Sequence, residues 1–499
     1  MSTDVIVTGA GPTGLMLACE LALAGVRTRV LERRAEPQRN SRALTLHPRS
    51  LELLDQRGLL DRFRVLGRTA PGWHFAQLPT HLDFSALDSR HGYTLLLPQA
   101  RTEALLAERA RELGVEIRYG CEVVALDQDG DGISAQVRHS RGIEEHRARF
   151  AVGCDGARSR TREAAGIGFP GTSETLTGVL GDFAVIDDNP AVLAAARAGG
   201  VVVAPLEDGL TRLVCVDPER MRVPSREPVS LTDFRASLVR MCGSDCGVAE
   251  PRWLSRFGNA TRLADSYRRG RVLLAGDAAH IHFPAAGQGL NTGLQDAVNL
   301  GWKLAAEVHG WAPPGLLDSY HQERHPVGQA VTENTEVQTL LAELALVPQY
   351  QRPAAALRGL LDELLRIEAV NRRLADQVSA LGTSYPPTSP DADPMVGRRM
   401  PDIGLTTAAS RATRVHELLH EGRFARLDFA GDPEPGTGWG SRVGATTVAQ
   451  WDDHPDLAGV TEVLVRPDGH IAWATRTADL DVRRGERQEA LQAWAGTPR

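Results

Sequence analysis

The chain has 499 residues, 42% hydrophobic and 24% charged, with a formal net charge of -7. That length exceeds what one core normally fills, so two or three domains are expected, and the acidic balance argues against a general nucleic-acid or anionic-membrane binder. No apolar run approaches the roughly 20 residues that span a bilayer, and the N-terminus shows no signal-peptide pattern, so a cytoplasmic protein without a membrane partner is expected.

From the N-terminus, "DVIVTGAGPTGLMLACELALAGVRTRVLERR" opens with a short apolar strand, Val5-Ile6-Val7. It turns through Gly9, Gly11 and Gly14 into a helix whose apolar positions recur at three and four (Leu17, Leu21, Ala24). A second strand, Val30-Leu31, ends in Glu32, about 20 residues after the glycines, which completes a dinucleotide-binding fingerprint. Gly9 permits the tight turn, Gly11 lets backbone approach a pyrophosphate, and Gly14 lets the helix pack closely. The helix N-terminus favours the anion, and Glu32 can accept from a ribose hydroxyl. FAD and NAD share this motif. The chain carries no second one, so the site belongs to whichever cofactor stays bound.

Further along, "EIRYGCEVVALDQDGDGISAQVRH" predicts a β-meander with an Asp-Gly turn. "GCDGARSRTREAAGI" places Asp155 before Gly156, where an acid forms a turn. "TGVLGDFAVI", "GGVVVAPL" and "LTRLVCVDP" are three β-rich runs separated by turn signals, which suggests a sheet.

In "RVLLAGDAAHIHFPAAGQGLNTGLQDAVNLGWKLA" an apolar strand ends on Gly276-Asp277, and a Gly-x-Gly loop then leads into a helix. A carboxylate at the end of a buried strand is costly unless it is paired. His280 and His282 have metal-ligand spacing without a third ligand nearby, so no metal is expected. "GTSYPPTSPDADP" is an extended linker, and "RPDGHIAW" beyond it predicts a hairpin turning at Asp468-Gly469. The six cysteines are scattered and are expected to be reduced thiols; Cys242 and Cys246 lie four apart with no second pair to complete a zinc site. Lys303 is the only lysine.

Three of these stretches, in order, resemble the single-component class A flavoprotein aromatic hydroxylases, particularly the branch that modifies aromatic polyketides. They are the Gly9/Gly11/Gly14 fingerprint with Glu32, the Asp-Gly motif at Cys154-Asp155-Gly156 with Ser159 and Arg162, and the Gly-Asp motif at Asp277 with its following loop. The resemblance spans essentially the whole chain. It implies an α/β fold: a Rossmann-like FAD-binding domain (1–72, 99–177 and 268–394), an inserted β-sheet substrate domain of the p-hydroxybenzoate hydroxylase type (73–98 and 178–267), and a thioredoxin-like C-terminal domain (395–499). The last segment has no cysteine, which excludes disulfide exchange there.

By the same resemblance Asp277 binds a ribityl hydroxyl of FAD, and Thr13 joins the glycines in contacting it. The backbone of Gly287, Gly289, Leu290 and Asn291 lies against the flavin ring, where a helix N-terminus stabilises negative charge. Arg42 in "NSRALTLH", Gln99 in "LLLPQARTEAL", Arg33 and Val123 are further FAD contacts, and Asp155 lies near the pyridine nucleotide. Ala286 stands where the family commonly has glycine, so a positive φ there is expected to be strained. Arg212, His282 and Pro284 are substrate-side candidates; no obligatory acid or base is named.

The implied reaction uses NADPH or NADH to reduce FAD. O₂ then adds at the flavin C4a carbon, and the hydroperoxide transfers oxygen to an electron-rich ring. Ring hydroxylation of a tetracyclic or angucyclic polyketide comes first. Inactivation of a rifampicin-like ansamycin, Baeyer–Villiger insertion and a non-oxygenating flavoprotein reductase are the alternatives. A homodimer is compatible with the sequence, which does not fix the oligomeric state.

Overall fold

The structure, a computed structural model, describes residues 3–198, 200–206, 209–387, 389–432 and 438–498. At its centre the strand Val5–Thr8 pairs in parallel with Thr28–Glu32 on one side and Phe150–Gly153 on the other. Glu116–Tyr119 extends this sheet at one edge; Val272–Leu274 and the antiparallel Arg268–Arg269 extend it at the other. Val5, Ile6 and Val7 are fully buried, as a central strand covered on both faces requires. The first strand of "EIRYGCEVVAL" therefore belongs to this sheet. The meander that the sequence predicts begins one strand later, with Glu122–Gln128, Ile133–His139 and Gly142–Ala148.

The helix Pro12–Leu23 lies against this sheet, and the helix Gln288–His309 packs closely on Pro12–Leu23. Gly301 of the helix Gln288–His309 faces Pro12–Leu23 so closely that a Cβ would lie 2.4 Å from Glu20 Cβ. The longer helix carries an unusual buried stripe. Thr292, Asp296, Asn299 and Lys303 recur at four, three and four, are at most 4% exposed, and face polar groups of the helix Ser319–Leu346.

A separate four-stranded antiparallel sheet has the order Val202–Pro205, Thr211–Cys215, Thr177–Val185, Ala249–Gly258. The three β-rich runs of the sequence are its first three strands; the fourth lies in a stretch without a clear alternating pattern. Val179, Phe183, Leu213 and Cys215 on one face pack under Phe234 and Leu238 of the helix Leu231–Cys242. The segment 73–98 does not join this sheet, contrary to expectation. Gly72–Trp73 pairs with Leu82–Asp83 in a ribbon of its own, because Phe75, Leu78, Leu82 and Phe84 find their apolar partners in Leu341, Leu365, Ala375 and Val378 of the C-terminal helices.

Residues beyond the linker form a six-stranded mixed sheet closed by the helix Leu480–Ala495. The hairpin at Asp468-Gly469 is present, with Gly469 at φ +76°. Its tip is not a solvated turn. Arg466 and Asp468 are buried against the polar stripe, where Arg466 pairs with Glu323 through two 2.7 Å bonds and Asn299 donates to both Glu323 (2.7 Å) and Asp468 (3.2 Å). Lys303 Nζ reaches Glu323 at 2.7 Å, so the only lysine of the chain is wholly internal. Arg57 bonds Glu20 twice at 2.7 Å and also donates to the carbonyls of Leu419 and Pro467. Among the described residues no helix is long and apolar enough to cross a membrane.

Burial raises the Glu323 carboxyl, but Arg466 and Lys303 outweigh it and hold the group at about 2. The folded value is depressed, so this contribution is complete above the unfolded value near 4.5 and is lost as pH falls towards about 2. Glu323→Gln leaves two buried cations short of an anion and is expected to cost about 3–5 kcal/mol at neutral pH and to flatten the acid dependence. Urea unfolding from neutral pH to about pH 3 checks both effects. A variant within about 1 kcal/mol of the parent with the same acid profile contradicts the assignment.

Candidate active site

The glycine fingerprint is built by sterics. Gly9 has φ +102°, and a Cβ there would lie 2.4 Å from the Cys154 carbonyl oxygen; a Cβ on Gly14 would lie 2.1 Å from the Gly9 carbonyl oxygen. Gly11 differs, because a Cβ on it would meet nothing within 4 Å. Gly11 is also the N-cap of Pro12–Leu23, which has no side-chain cap, so the first N–H groups of that helix face open space. Thr13 fits between Gly276 and Gly293.

Glu32 accepts from Ala10 N–H (2.8 Å) and from the backbone N–H (2.9 Å) and Nε (3.0 Å) of Arg34. Burial raises this carboxyl, but those hydrogen bonds and the Arg34 charge hold it below its usual range. Arg34 also lies 3.7 Å from Glu103, which accepts from Gln99 Nε2 at 2.8 Å. Glu32 and Gln99, far apart in sequence, thus share one network. Val123 is buried in a neighbouring strand, and Arg33 is exposed.

Ser159 caps the helix Arg160–Ala164, accepting from Arg162 N–H (2.9 Å), and Asp155 holds that cap, accepting from Ser159 Oγ (2.5 Å) and from Thr161 N–H and Oγ1 (3.1 Å each). Arg162 donates to the Ala278 carbonyl at 2.9 Å and lies over the Phe169 ring, so the second motif braces the third.

Asp277 lies in the short turn Gly276–Ala278 at the end of Val272–Leu274. Its side chain opens on a cleft, reachable by water yet with protein mass on its other sides, and among the described residues no hydrogen bond reaches it. Burial holds its carboxyl above the usual range, opposed by the charges of His280 and Arg42.

The turn is anchored from behind. Asp296, fully buried, accepts from Gly276 N–H (3.1 Å), His280 Nε2 (2.7 Å) and Arg324 Nε (2.7 Å). Arg324 also donates to the Thr292 carbonyl and the Tyr385 hydroxyl, and Tyr385 comes from the linker region. His280 is therefore an anchor. The group of three metal-competent side chains found among the described residues lies elsewhere: Asp55 Oδ2 accepts from His91 (2.9 Å) and from His416 of the C-terminal sheet unit (2.8 Å).

The loop after the turn has the expected strain, with Ala286 at φ +51°. It is clipped in place. Asn291 Nδ2 donates to the carbonyls of Gly287 (2.8 Å) and Thr45 (3.1 Å), its Oδ1 accepts from His47 N–H (2.8 Å), and His47 Nε2 donates to the Ala286 carbonyl (2.8 Å). The side chain of Asn291 is thus occupied within the loop. Helix Gln288–His309 opens at Gly287, again with no side-chain cap.

His282 packs against Gly289, with Nδ1 donating to the Phe283 carbonyl (2.8 Å) and Nε2 buried without a partner. Burial lowers its pKa to about 4, which keeps the ring neutral. Pro284 beside it is exposed.

The expectation for Arg212 needs correction. It is 4% exposed, pairs with Asp182 (2.7 and 2.8 Å), and donates to the carbonyls of Arg42 (2.7 Å) and Ser41 (2.5 Å). With these donors engaged it secures the 41–42 segment to the sheet and is not placed to steer a substrate. Arg42 itself donates to Ser255 Oγ (3.0 Å) and the Arg256 carbonyl (3.0 Å). By register, Leu180, Asp182, Arg212, Val214 and Ser255 share the face of the sheet opposite the helix-covered one. Phe257, further along the same strand as Ser255, meets Phe283 of the loop with ring centroids 5.6 Å apart.

Asp296, Arg324 and His47 were not found by motif. For Asp296 and Arg324 the signal was the polar stripe at four, three and four along the helix, which requires buried partners. Gly11 offers the sharpest test of the cradle. Gly11→Val adds a side chain where no protein atom stands, so thermal unfolding of the flavin-free chain is expected within about 0.5 kcal/mol of the parent. Bound flavin, read by absorbance after gel filtration, is expected to fall at least tenfold. Undiminished flavin would contradict the cradle.

Comparison with known proteins gives the family of the chain. Residues 2–335 match the family described as FAD binding domain, and residues 393–498 match the aromatic-ring hydroxylase C-terminal family. Rifampicin monooxygenase from Streptomyces venezuelae is 45% identical over 510 residues, covering 99% of this chain and 98% of that protein. The solved anhydrotetracycline hydroxylase OxyS from Streptomyces rimosus has 42% identity and a TM-score of 0.89, with 100% of both chains covered. The dialkyldecalin synthase of Streptomyces rugosporus is 39% identical, with 99% of each chain covered. The chain belongs to the FAD-binding aromatic-ring hydroxylase family of flavoprotein monooxygenases.

Proposed function

We propose that the protein hydroxylates an aromatic polyketide of tetracyclic or angucyclic type in antibiotic biosynthesis, consuming NAD(P)H and O₂. The observation that carries this reading is end-to-end likeness to an anhydrotetracycline hydroxylase, including the sheet set over the Asp277 loop. Bound FAD supplies electron transfer and oxygen activation. The uncapped helix at Gly11, with Gly9, Thr13 and Gly14, receives the pyrophosphate, and Glu32, Arg33, Arg42, Gln99, Val123 and Asp155 line the remaining cofactor path. Asp277 accepts a hydrogen bond from a cofactor hydroxyl. The N–H groups of Gly287, Gly289 and Leu290, placed by Asn291, oppose negative charge on the ring with the dipole of the helix they open. His282 and Pro284 border the substrate, Phe257 and Phe283 form its apolar wall, and a neutral His282 imports no charge there.

In this reading the FAD unit comprises 1–72, 99–177 and 268–394, and it also takes in the 73–98 ribbon; 178–267 is the substrate sheet and 395–499 the C-terminal unit. A thioredoxin-like assignment of that unit is supported by the strand order Val443–Trp451, Phe424–Asp428, Glu462–Val465, Ile471–Thr475, with one parallel and two antiparallel pairings. Without cysteine it acts by docking, through Arg49, Arg57 and Arg466.

Ansamycin inactivation is the second reading, favoured by the rifampicin monooxygenase likeness. A third is favoured by the dialkyldecalin synthase: a cyclisation in which the flavin transfers no oxygen. Incubation with NADPH, air and a panel of anhydrotetracycline-type polyketides, angucyclines and rifampicin is expected to add one oxygen atom to a polyketide. Oxygen added only to rifampicin would replace the first reading with the second, and a cyclised product of unchanged mass would replace both. Because His282 stays neutral down to about 4, kcat/KM on the accepted substrate is expected to show no ionisation near the ordinary histidine value of about 6.5. An inflection there that disappears in His282→Gln would contradict the neutral assignment.

A further inference from the structure

Cys242 and Cys246 hold their sulfur atoms 3.8 Å apart. Cys242 ends the helix Leu231–Cys242 and is half-buried, whereas Cys246 is fully buried. The turn between them is fixed. Gly243 is a left-handed cap at φ +77°, Cys246 itself has φ +54°, and its carbonyl accepts from Asp187 N–H at 2.8 Å, just past the strand Thr177–Val185. Asp245 Oδ1 accepts from Gly247 N–H, and Ser244 Oγ from Cys246 N–H. The two thiols, held in contact by a fixed turn, have to close from 3.8 Å to a sulfur–sulfur bond of about 2.05 Å.

We propose that Cys242 and Cys246 form an intramolecular disulfide driven by hydrogen peroxide, a modification site on the helix-covered side of the substrate sheet. Peroxide is the two-electron product of O₂, which a flavin monooxygenase consumes. The half-buried Cys242 thiolate attacks one peroxide oxygen: an S–O bond forms, the O–O bond breaks, and the departing hydroxide takes a proton to leave as water. The Cys246 sulfur then displaces the oxygen from the Cys242 sulfenic acid. The S–S bond forms, the S–O bond breaks, and a second water carries away the Cys246 proton. Two thiols and one peroxide become one disulfide and two waters; sulfur loses two electrons and peroxide gains them. Burial lifts the Cys246 thiol to about 12, so it keeps its proton and leaves the first attack to the less buried Cys242. Cys215, at the end of the strand Thr211–Cys215, belongs to the same core and is 2% exposed. The bond forms on the face opposite Phe257 and Phe283, outside the cleft.

Arg240 and Arg252 flank both cysteines, so one tryptic peptide, 241–252, reports the state of the pair. The reduced holoenzyme is treated with hydrogen peroxide, its remaining thiols are blocked with iodoacetamide, and it is digested without reductant. The expected peptide is unalkylated and lighter by two hydrogens, and it gains two blocking groups after dithiothreitol. In Cys246→Ser the same treatment is expected to leave a Cys242 sulfenic acid that dimedone captures, at least fivefold more than in the parent. A doubly alkylated peptide after peroxide, a Cys242 sulfinic acid in the parent, or a link to Cys215 would overturn the proposal.

Discussion

The architecture depends on a row of polar side chains buried along one face of a helix. Thr292, Asp296, Asn299 and Lys303 all lie on the inner face of Gln288–His309, where a charge without a partner would cost several kcal/mol. Each residue has a polar partner, although Asn299 Oδ1 is left without one. Asp296 takes Arg324 and His280, Asn299 and Lys303 take Glu323, and Glu323 takes Arg466 from the C-terminal hairpin. One end of the row fixes the turn that presents Asp277. The other fixes the C-terminal unit. A polar group in such a row has one arrangement that satisfies it, whereas an apolar side chain has many, so the row sets the position of the helix and hence of both ends.

The same logic explains why one carboxylate at the cleft is left over. Asp296 and Asp277 are 19 positions apart, yet the first is fully buried and surrounded by donors while the second faces the cleft with no hydrogen bond among the described residues. Folding has supplied partners to every acid of the row and none to Asp277. Together with two helices that open on glycine without a side-chain cap, this makes a surface whose unmet polar groups match a dinucleotide: N–H donors for an anion and a carboxylate acceptor for a hydroxyl.

Much of this was legible in the chain. The fingerprint could be read because glycine sterics act locally: Gly9 and Gly14 are required by atoms a few residues away or by the Cys154 turn in the adjacent strand. Ala286 was legible for the same reason. The sheet over the cleft was legible as alternating runs, except for Ala249–Gly258, whose mixed charged and aromatic pattern hides its period. Arg212 was misjudged because a lone arginine in a strand carries no sign of its partner; only pairing with the next strand sets it opposite Asp182. The 73–98 ribbon was misassigned because its apolar residues choose helices more than 250 positions away. The Asp468-Gly469 turn was found as a turn, but its burial depends on Asn299 and Arg466 and lay beyond local sequence.

The account stands on Asp277 as the carboxylate whose partner is the cofactor. The direct measurement is the dissociation constant of FAD for Asp277→Asn against the parent, by flavin fluorescence titration of the flavin-free proteins, with thermal unfolding of both. Loss of one charged hydrogen bond is worth about 1.5–3 kcal/mol, so binding is expected to weaken at least tenfold. Removing a carboxylate whose pKa burial has raised should leave the flavin-free variant as stable as the parent or more so. An affinity within twofold of the parent would contradict the account, since Asp277 would then hold nothing that the flavin supplies.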